Sequence, residues 1–259
     1  LKKYDRIAIK PHASPVFHAI QYLLGNQTVN NLKNFRKLNG AQAYPSKTKD
    51  FCDVDFSTGS VGLGGAMTIF SSFTQDFLEE NNLLEKEPNK MISIFGDAEL
   101  DEGNIYEALL EGAKHNLKNC WWIIDYNRQS LDGIIHGKLF EKIISLFKLM
   151  GWNVEILKYG KKLGSLNKTI SGKKILEWID DCPNDLFSAL TYQGGSEWRN
   201  SLNNSFSNDE EVLSLIKKYN DSELHSLMTN LAGHDLISLE EKFSKYKKDN
   251  TPTCFICYT

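Results

Sequence analysis

Two stretches decide the fold of this 259-residue chain: Met91-Ile92-Ser93-Ile94-Phe95-Gly96-Asp97-Ala98-Glu99-Leu100-Asp101-Glu102 and Cys120-Trp121-Trp122-Ile123-Ile124-Asp125-Tyr126-Asn127. Lys90 to Phe95 and Cys120 to Asp125 are compact apolar runs of strand length, each closed by a polar break. Uninterrupted apolar runs of that length mark strands buried on both faces. Between them, Asp101 to Asn116 reads as a helix with acidic residues at its start, where they favour the helix dipole. Strand, helix and buried strand in this order imply a parallel, doubly wound sheet flanked by helices, an α/β fold.

The pattern continues in both directions. Upstream, Arg6 to Lys10 reads as a strand. Ser14-Pro15 opens a helix, with Ser as N-cap and Pro at the first helical position, and Gly25 stops it. A second helix from Thr28 is expected to present Leu32, Phe35 and Leu38. The small-residue stretch Ser57-Thr58-Gly59-Ser60-Val61-Gly62-Leu63-Gly64-Gly65 runs into a helix from Met67 to about Asn81. Downstream come a loop (Asn127 to Gly133), a helix (Phe140 to Met150) and a strand (Trp152 to Leu157). A polar, mostly helical stretch from about Ser171 to Lys247 precedes a last strand, Thr253 to Tyr258. The expectation is one domain over residues 1–259, with 171–247 as a helical elaboration between two strands of one sheet.

Composition bounds the function. At 41% hydrophobic and 24% charged the chain can bury a sizeable core. A net charge of −3 offers no broad basic field for nucleic acid or an acidic membrane surface. The apolar runs fall far short of the ~20 residues that a membrane span needs, and Leu1 to Ile9 lacks the apolar core of a signal peptide. The five cysteines, Cys52, Cys120, Cys182, Cys254 and Cys257, show no framework spacing, and Cys254 and Cys257 read as two buried thiols in a reducing cytosol. Cys254 and Cys257 are three apart on a strand and so point to opposite faces, which argues against a redox pair. Both ends read as edges of structure already under way, so a piece of a longer protein is expected.

In an open parallel sheet, ligands bind beyond the carboxyl ends of the strands. Two neighbouring strand ends here carry hard oxygen donors: the Asp97 carboxylate, the Asn127 side-chain amide, and a backbone carbonyl just after Asn127. Mg²⁺ takes an octahedron of oxygens at ~2.1 Å and usually completes it with phosphate oxygens and water. The glycine-rich stretch before Met67 and the helix start near Asp101 direct backbone N–H groups to the same end, which suits an anionic diphosphate. Each half alone is explained by a helix cap or an Asn turn. Their order and separation make the pair specific.

With these motifs in view, the sequence resembles the thiamine-diphosphate enzymes of the transketolase and 2-oxoacid dehydrogenase group. Their signature opens with Gly-Asp-Gly and closes about thirty residues later with Asn, as Gly96-Asp97-Ala98 and Asn127 do with Ala in place of the last Gly. That Ala strains the backbone only if its φ is positive. Pro11-His12-Ala13-Ser14-Pro15 is similar to the segment whose histidine lies by the diphosphate and the reacting centre, and Ser57 to Gly64 to the loop that holds the aminopyrimidine. The polar stretch around Tyr44-Pro45 and Gly233-His234-Asp235 are more like the homodimeric pyruvate dehydrogenase decarboxylating branch than sugar transketolases.

The resemblance implies thiamine diphosphate and Mg²⁺ as cofactors, with Asp97, Asn127 and Gln129 as metal ligands. It implies cofactor contacts from His12, Gly59 (carbonyl), Val61 (N–H), Gly96, Asp97, Ala98, Glu99 and Asn127, with His12 catalytic. It also implies decarboxylation of a small 2-oxoacid, acyl transfer to a lipoyl-bearing acyltransferase, and a homodimer completed by a pyrimidine-binding domain that these residues lack. A transketolase moving a ketol unit between sugar phosphates, and a non-catalytic half-subunit needing a partner chain, are the alternatives. Lys10 stands where the family more often has an uncharged polar residue, and reads either as a contact to a diphosphate oxygen or as a solvated strand-edge lysine. His18, His115, His136, His225 and His234 read as structural, Trp121 and Trp122 as core, and Lys242 to Asp249 as a solvated helix face.

Overall fold

The computed structural model describes residues 4–85, 89–127 and 138–259, together with the backbone of 129–130 and 133–134; side chains at 128–140 lie outside it. The main sheet has five strands: β1 (Arg6–Ala8), β2 (Met91–Gly96), β3 (Cys120–Tyr126), β6 (Asn153–Leu157) and β7 (Thr253–Tyr258). Two short pieces, β4 (Gln129–Ser130) and β5 (Gly133–Ile134), fall where a loop was expected. The strand order is β1-β2-β3-β7-β6, with β1–β2 and β2–β3 parallel. All six residues of β7 are buried, and β2 and β3 are buried almost throughout, in keeping with their unbroken apolar runs.

Most helices fall near their expected places: α1 (Ser14–Leu23), α2 (Val29–Lys33), α3 (Leu63–Glu80), α4 (Gly103–Lys114) and α5 (Lys138–Leu149). Three local readings need correction. A 3-10 turn over Pro11–Ala13 leads directly into α1, so Ser14 is already helical, its side chain is not the cap, and Ala13 stands at the N-cap. Thr28 does cap α2, accepting the Asn31 N–H, but the helix ends at Lys33. Arg36 and Asn39 have positive φ, and Leu38 is 91% exposed, so the expected apolar spacing of Leu32, Phe35 and Leu38 spans a turn. The acidic segment after β2 is a 3-10 turn over Asp97–Asp101, and α4 starts only at Gly103.

By its packing the chain divides into two compact units. The first comprises Leu1–Leu131, Ile135–Ile156 and Tyr246–Ile256. At its centre Trp122 packs against Phe95, Phe147 and Trp152, with ring centroids 5.2, 5.8 and 4.9 Å away. Such pairs contribute about 0.5–1.5 kcal/mol each beyond the area they bury. The Trp122 indole N–H donates to the Thr68 hydroxyl (3.1 Å), which donates to the Gly65 carbonyl (2.7 Å). The first turn of α3 is thereby tied to β3.

The second unit comprises Asp132–Ile134, Leu157–Lys245 and Cys257–Thr259. Its helices begin at α6 (Lys161–Gly164), earlier than the expected Ser171, and continue as α7 (Ile170–Asp181), α8 (Asn184–Gln193), α9 (Gly195–Ser205), α10 (Glu210–Ile216), α11 (Asp221–Met228) and α12 (Leu236–Tyr246). Trp198, Leu202 and Val212 are fully buried in this unit. Arg199 joins three segments by donating to the Asp221 carboxylate and to the Ile216 and Tyr219 carbonyls.

Candidate functional site

The parallel register brings three strand ends to one edge of the first unit. Ala8 pairs with Ser93 and Gly96 with Asp125, so Lys10 and His12 follow β1, Asp97 follows β2, and Asn127 follows β3 at the same side. Asp97 is buried (4% exposed) at the start of its 3-10 turn, and its Oδ1 accepts the Ala98 N–H at 3.1 Å. Ala98 is not among the residues of positive φ, so the turn takes Ala without strain. Asn127 is half-buried. The side chain of Gln129 lies outside the described residues.

Glu99 has a role that motif reading missed. Its carboxylate is buried, with Oε1 accepting the Gly96 N–H (3.2 Å) and Oε2 the Gly62 N–H (3.0 Å). Burial raises its pKa, opposed by those two N–H groups and by the nearby Lys10 cation. Glu99 therefore fastens the glycine-rich loop to the end of β2. Asn104, at the start of α4, holds the same loop from a second side by donating to the Val61 carbonyl at 2.8 Å.

The glycines of that loop divide by cause. Gly62 has φ +75°, and a Cβ on Gly65 would lie 2.9 Å from Ile105 and 3.0 Å from Trp122, so both are demanded by the chain's own packing. A Cβ on Gly59 would meet only Val61, at 3.7 Å. Nothing among the described residues requires glycine at 59.

His12 is exposed, and its Nε2 is 3.2 Å from the Ser60 hydroxyl, which links the segment after β1 to the loop. The Lys10 ammonium lies 2.7 Å from Asp125 Oδ2, with 14% of its side chain exposed. That excludes the solvated-edge reading of Lys10. His18 is structural, as expected: it is buried, with Nε2 2.9 Å from the Gln42 carbonyl. All five cysteines are buried, and among the described residues none is in a disulfide. Asp235 caps α12 through the Ser238 N–H and also accepts the Lys161 N–H, which accounts for its place in the Gly233-His234-Asp235 segment.

Among the described residues no three His, Cys, Asp or Glu side chains gather as a cation cage. A cation at the strand ends would take its oxygens from Asp97, the Asn127 amide, a main-chain carbonyl and the ligand itself. No helix among the described residues is long and apolar enough to cross a membrane.

An α/β sheet with oxygen donors, a clamped glycine-rich loop and a histidine at the carboxyl ends of adjacent strands has the architecture of a ligand-binding domain. Residues 3–177 match the family described as transketolase, thiamine diphosphate binding domain, and the chain belongs to that family. It is 26% identical over 246 residues to the pyruvate dehydrogenase E1 component of Escherichia coli, covering 93% of this chain and 27% of that protein. The corresponding component of Cupriavidus necator is 27% identical over 238 residues, covering 89% and 26%. The chain thus spans about a quarter of the length of these relatives. Among solved structures, the transketolase of Campylobacter jejuni superposes with a TM-score of 0.51 at 29% identity, covering 60% of this chain and 24% of that one. The transketolase of Leishmania mexicana shares the fold, with a TM-score of 0.52 at 17% identity over 98% of this chain and 28% of its own.

Proposed function

We propose that this chain is the cofactor-anchoring domain of a thiamine-diphosphate- and Mg²⁺-dependent pyruvate dehydrogenase decarboxylating component. The observation that carries this reading is the strand-end register Gly96 to Asp125, with Asp97 and Asn127 following on adjacent strands. The donor set fits Mg²⁺: one buried carboxylate, one amide oxygen and a nearby carbonyl, taken as that of Gln129, leave positions for diphosphate oxygens and water. The relatives named pyruvate dehydrogenase favour a 2-oxoacid over a sugar phosphate; the Campylobacter neighbour keeps a transketolase as the second reading.

Thiamine diphosphate, when bound, supplies an electron sink for the pair released as CO₂ leaves a 2-oxoacid. The protein's part is to hold and orient. Asp97 and Asn127 hold the metal, with main-chain groups of Gly96, Ala98 and Glu99 around the diphosphate. The Glu99 carboxylate acts on the loop, where its two oxygens accept the Gly62 and Gly96 N–H groups. The Gly59 carbonyl and the Val61 N–H take the aminopyrimidine. His12, oriented by Ser60, moves a proton at Nε2 near the reacting centre.

The partners proposed are a second copy, completing the site through a pyrimidine-binding domain, and the lipoyl-bearing acyltransferase of a 2-oxoacid dehydrogenase complex. Apolar faces on the first unit support the former: Val16, Ile20 and Leu23 lie exposed on α1, and Leu63, Phe70 and Phe77 on α3. Five buried cysteines outside any disulfide support a cytoplasmic location. The test is calorimetric titration of the intact protein with thiamine diphosphate, with and without Mg²⁺, followed by assays on pyruvate and on sugar phosphates. Mg²⁺-dependent binding with CO₂ release from pyruvate is expected. Ketol transfer between sugar phosphates without pyruvate turnover would move the assignment to transketolase. Binding without either activity would make this a half-subunit.

A further inference from the structure

We propose that Lys10 is a diphosphate ligand, a cation built into the protein beside the metal position; the proposal rests on the thiamine diphosphate reading above. Its ammonium is held between two strand ends. It lies 2.7 Å from Oδ2 of Asp125, near the end of β3, and a Cβ added to Gly96 at the end of β2 would come within 3.1 Å of Nζ and 3.3 Å of Cε. Asp97 is the next residue of the chain. The lysine stem therefore crosses the end of β2 immediately before the carboxylate proposed to hold the metal.

Among the described residues, three carboxylates, Asp97, Glu99 and Asp125, stand at this edge with the Lys10 ammonium between the strand ends. Carboxylates repel a diphosphate, and a cation placed among them offsets that repulsion. An ammonium carries three N–H donors and Asp125 takes one of them, so Lys10 can face an anionic oxygen without leaving its partner. Its position is set by the fold and not by a loose arm, because Pro11 follows it directly into the 3-10 turn and His12 of that turn is joined to Ser60. The Lys10–Asp125 pair spans 115 residues of sequence, which keeps the cation at the strand ends before any ligand arrives.

The test is titration of the intact protein and its variants with thiamine diphosphate, inorganic pyrophosphate and thiamine at fixed Mg²⁺, read by calorimetry. A charge-assisted hydrogen bond to an anion contributes enough that Lys10→Met should weaken thiamine diphosphate and pyrophosphate roughly tenfold to a hundredfold. Thiamine, which lacks the diphosphate, should bind as before, and Lys10→Arg should restore most of the loss. Should Lys10→Met fail to fold because Asp125 is left without its cation, the double variant Lys10→Met with Asp125→Asn removes both charges and serves the same comparison. Unchanged pyrophosphate affinity in a folded variant, or an equal loss for thiamine, overturns the proposal while leaving the cofactor reading intact. Failure of the wild-type protein to bind either diphosphate overturns both.

Discussion

Glu99 shows how one side chain at this edge governs a surface it does not form. Each of its oxygens accepts one main-chain N–H, from Gly62 and from Gly96. Glu99→Gln keeps one acceptor and turns an N–H₂ towards the other glycine N–H, so a loss of about 1–3 kcal/mol is expected from one broken charge-assisted bond. Chemical denaturation should show it, together with weaker cofactor binding through the displaced loop. Asp97→Ala should all but abolish Mg²⁺-dependent retention of thiamine diphosphate, because the only carboxylate proposed for the metal is gone. His12→Ala should keep binding and lose turnover by ~10²–10⁴-fold if Nε2 transfers a proton. Equal activity of that variant and wild type would return His12 to a surface role held by Ser60. The Gly-Asp-Ala motif and its Asn were legible in sequence because they sit at strand ends. The Glu99–Gly62 and Lys10–Asp125 contacts were not, because they join segments 37 and 115 residues apart.

At the scale of elements, α3 carries its apolar surface in two directions. Ile69 and Ala66 are buried, whereas Leu63, Phe70 and Phe77, spaced by seven, form one exposed stripe with Phe70 at 51% and Phe77 at 60%. Were that stripe the proposed interface, Phe70→Glu with Phe77→Glu should shift the protein to a smaller species by light scattering, with helix content unchanged. An unaltered mass would remove α3 from the interface. In the second unit, α9 meets α11 through backbone: a Cβ on Gly195 would lie 1.8 Å from the Asp221 carbonyl oxygen. Gly195→Ala must push the two helices apart, and overpacking of this kind costs about 1–3 kcal/mol or more. A drop in thermal midpoint reads it out. Periodicity located these helices, but α2 stops short of the apolar spacing because positive φ at Arg36 and Asn39 turns the chain, a backbone choice that side-chain pattern does not report.

For the whole molecule, ligand linkage offers a test independent of turnover. With thiamine diphosphate and Mg²⁺ at a hundredfold over Kd, binding to the native state alone stabilises it by about 2.7 kcal/mol. The unfolding midpoint should rise with ligand concentration, and chelation of Mg²⁺ should remove most of the rise. A midpoint indifferent to both would contradict the cofactor assignment. The sequence by itself determined the buried strands Met91 to Phe95, Cys120 to Asp125 and Thr253 to Tyr258, the Gly25 helix stop, and the strand-end positions of Asp97 and Asn127. It did so because burial on both faces writes a continuous apolar run, and helix ends and turns are chosen by local backbone energies. Only the tertiary structure decided that β7 lies between β3 and β6, that Lys10 is a paired cation, and that Glu99 serves the loop. Those outcomes depend on which distant segments close on one another, and loop closure couples residues that no local preference links.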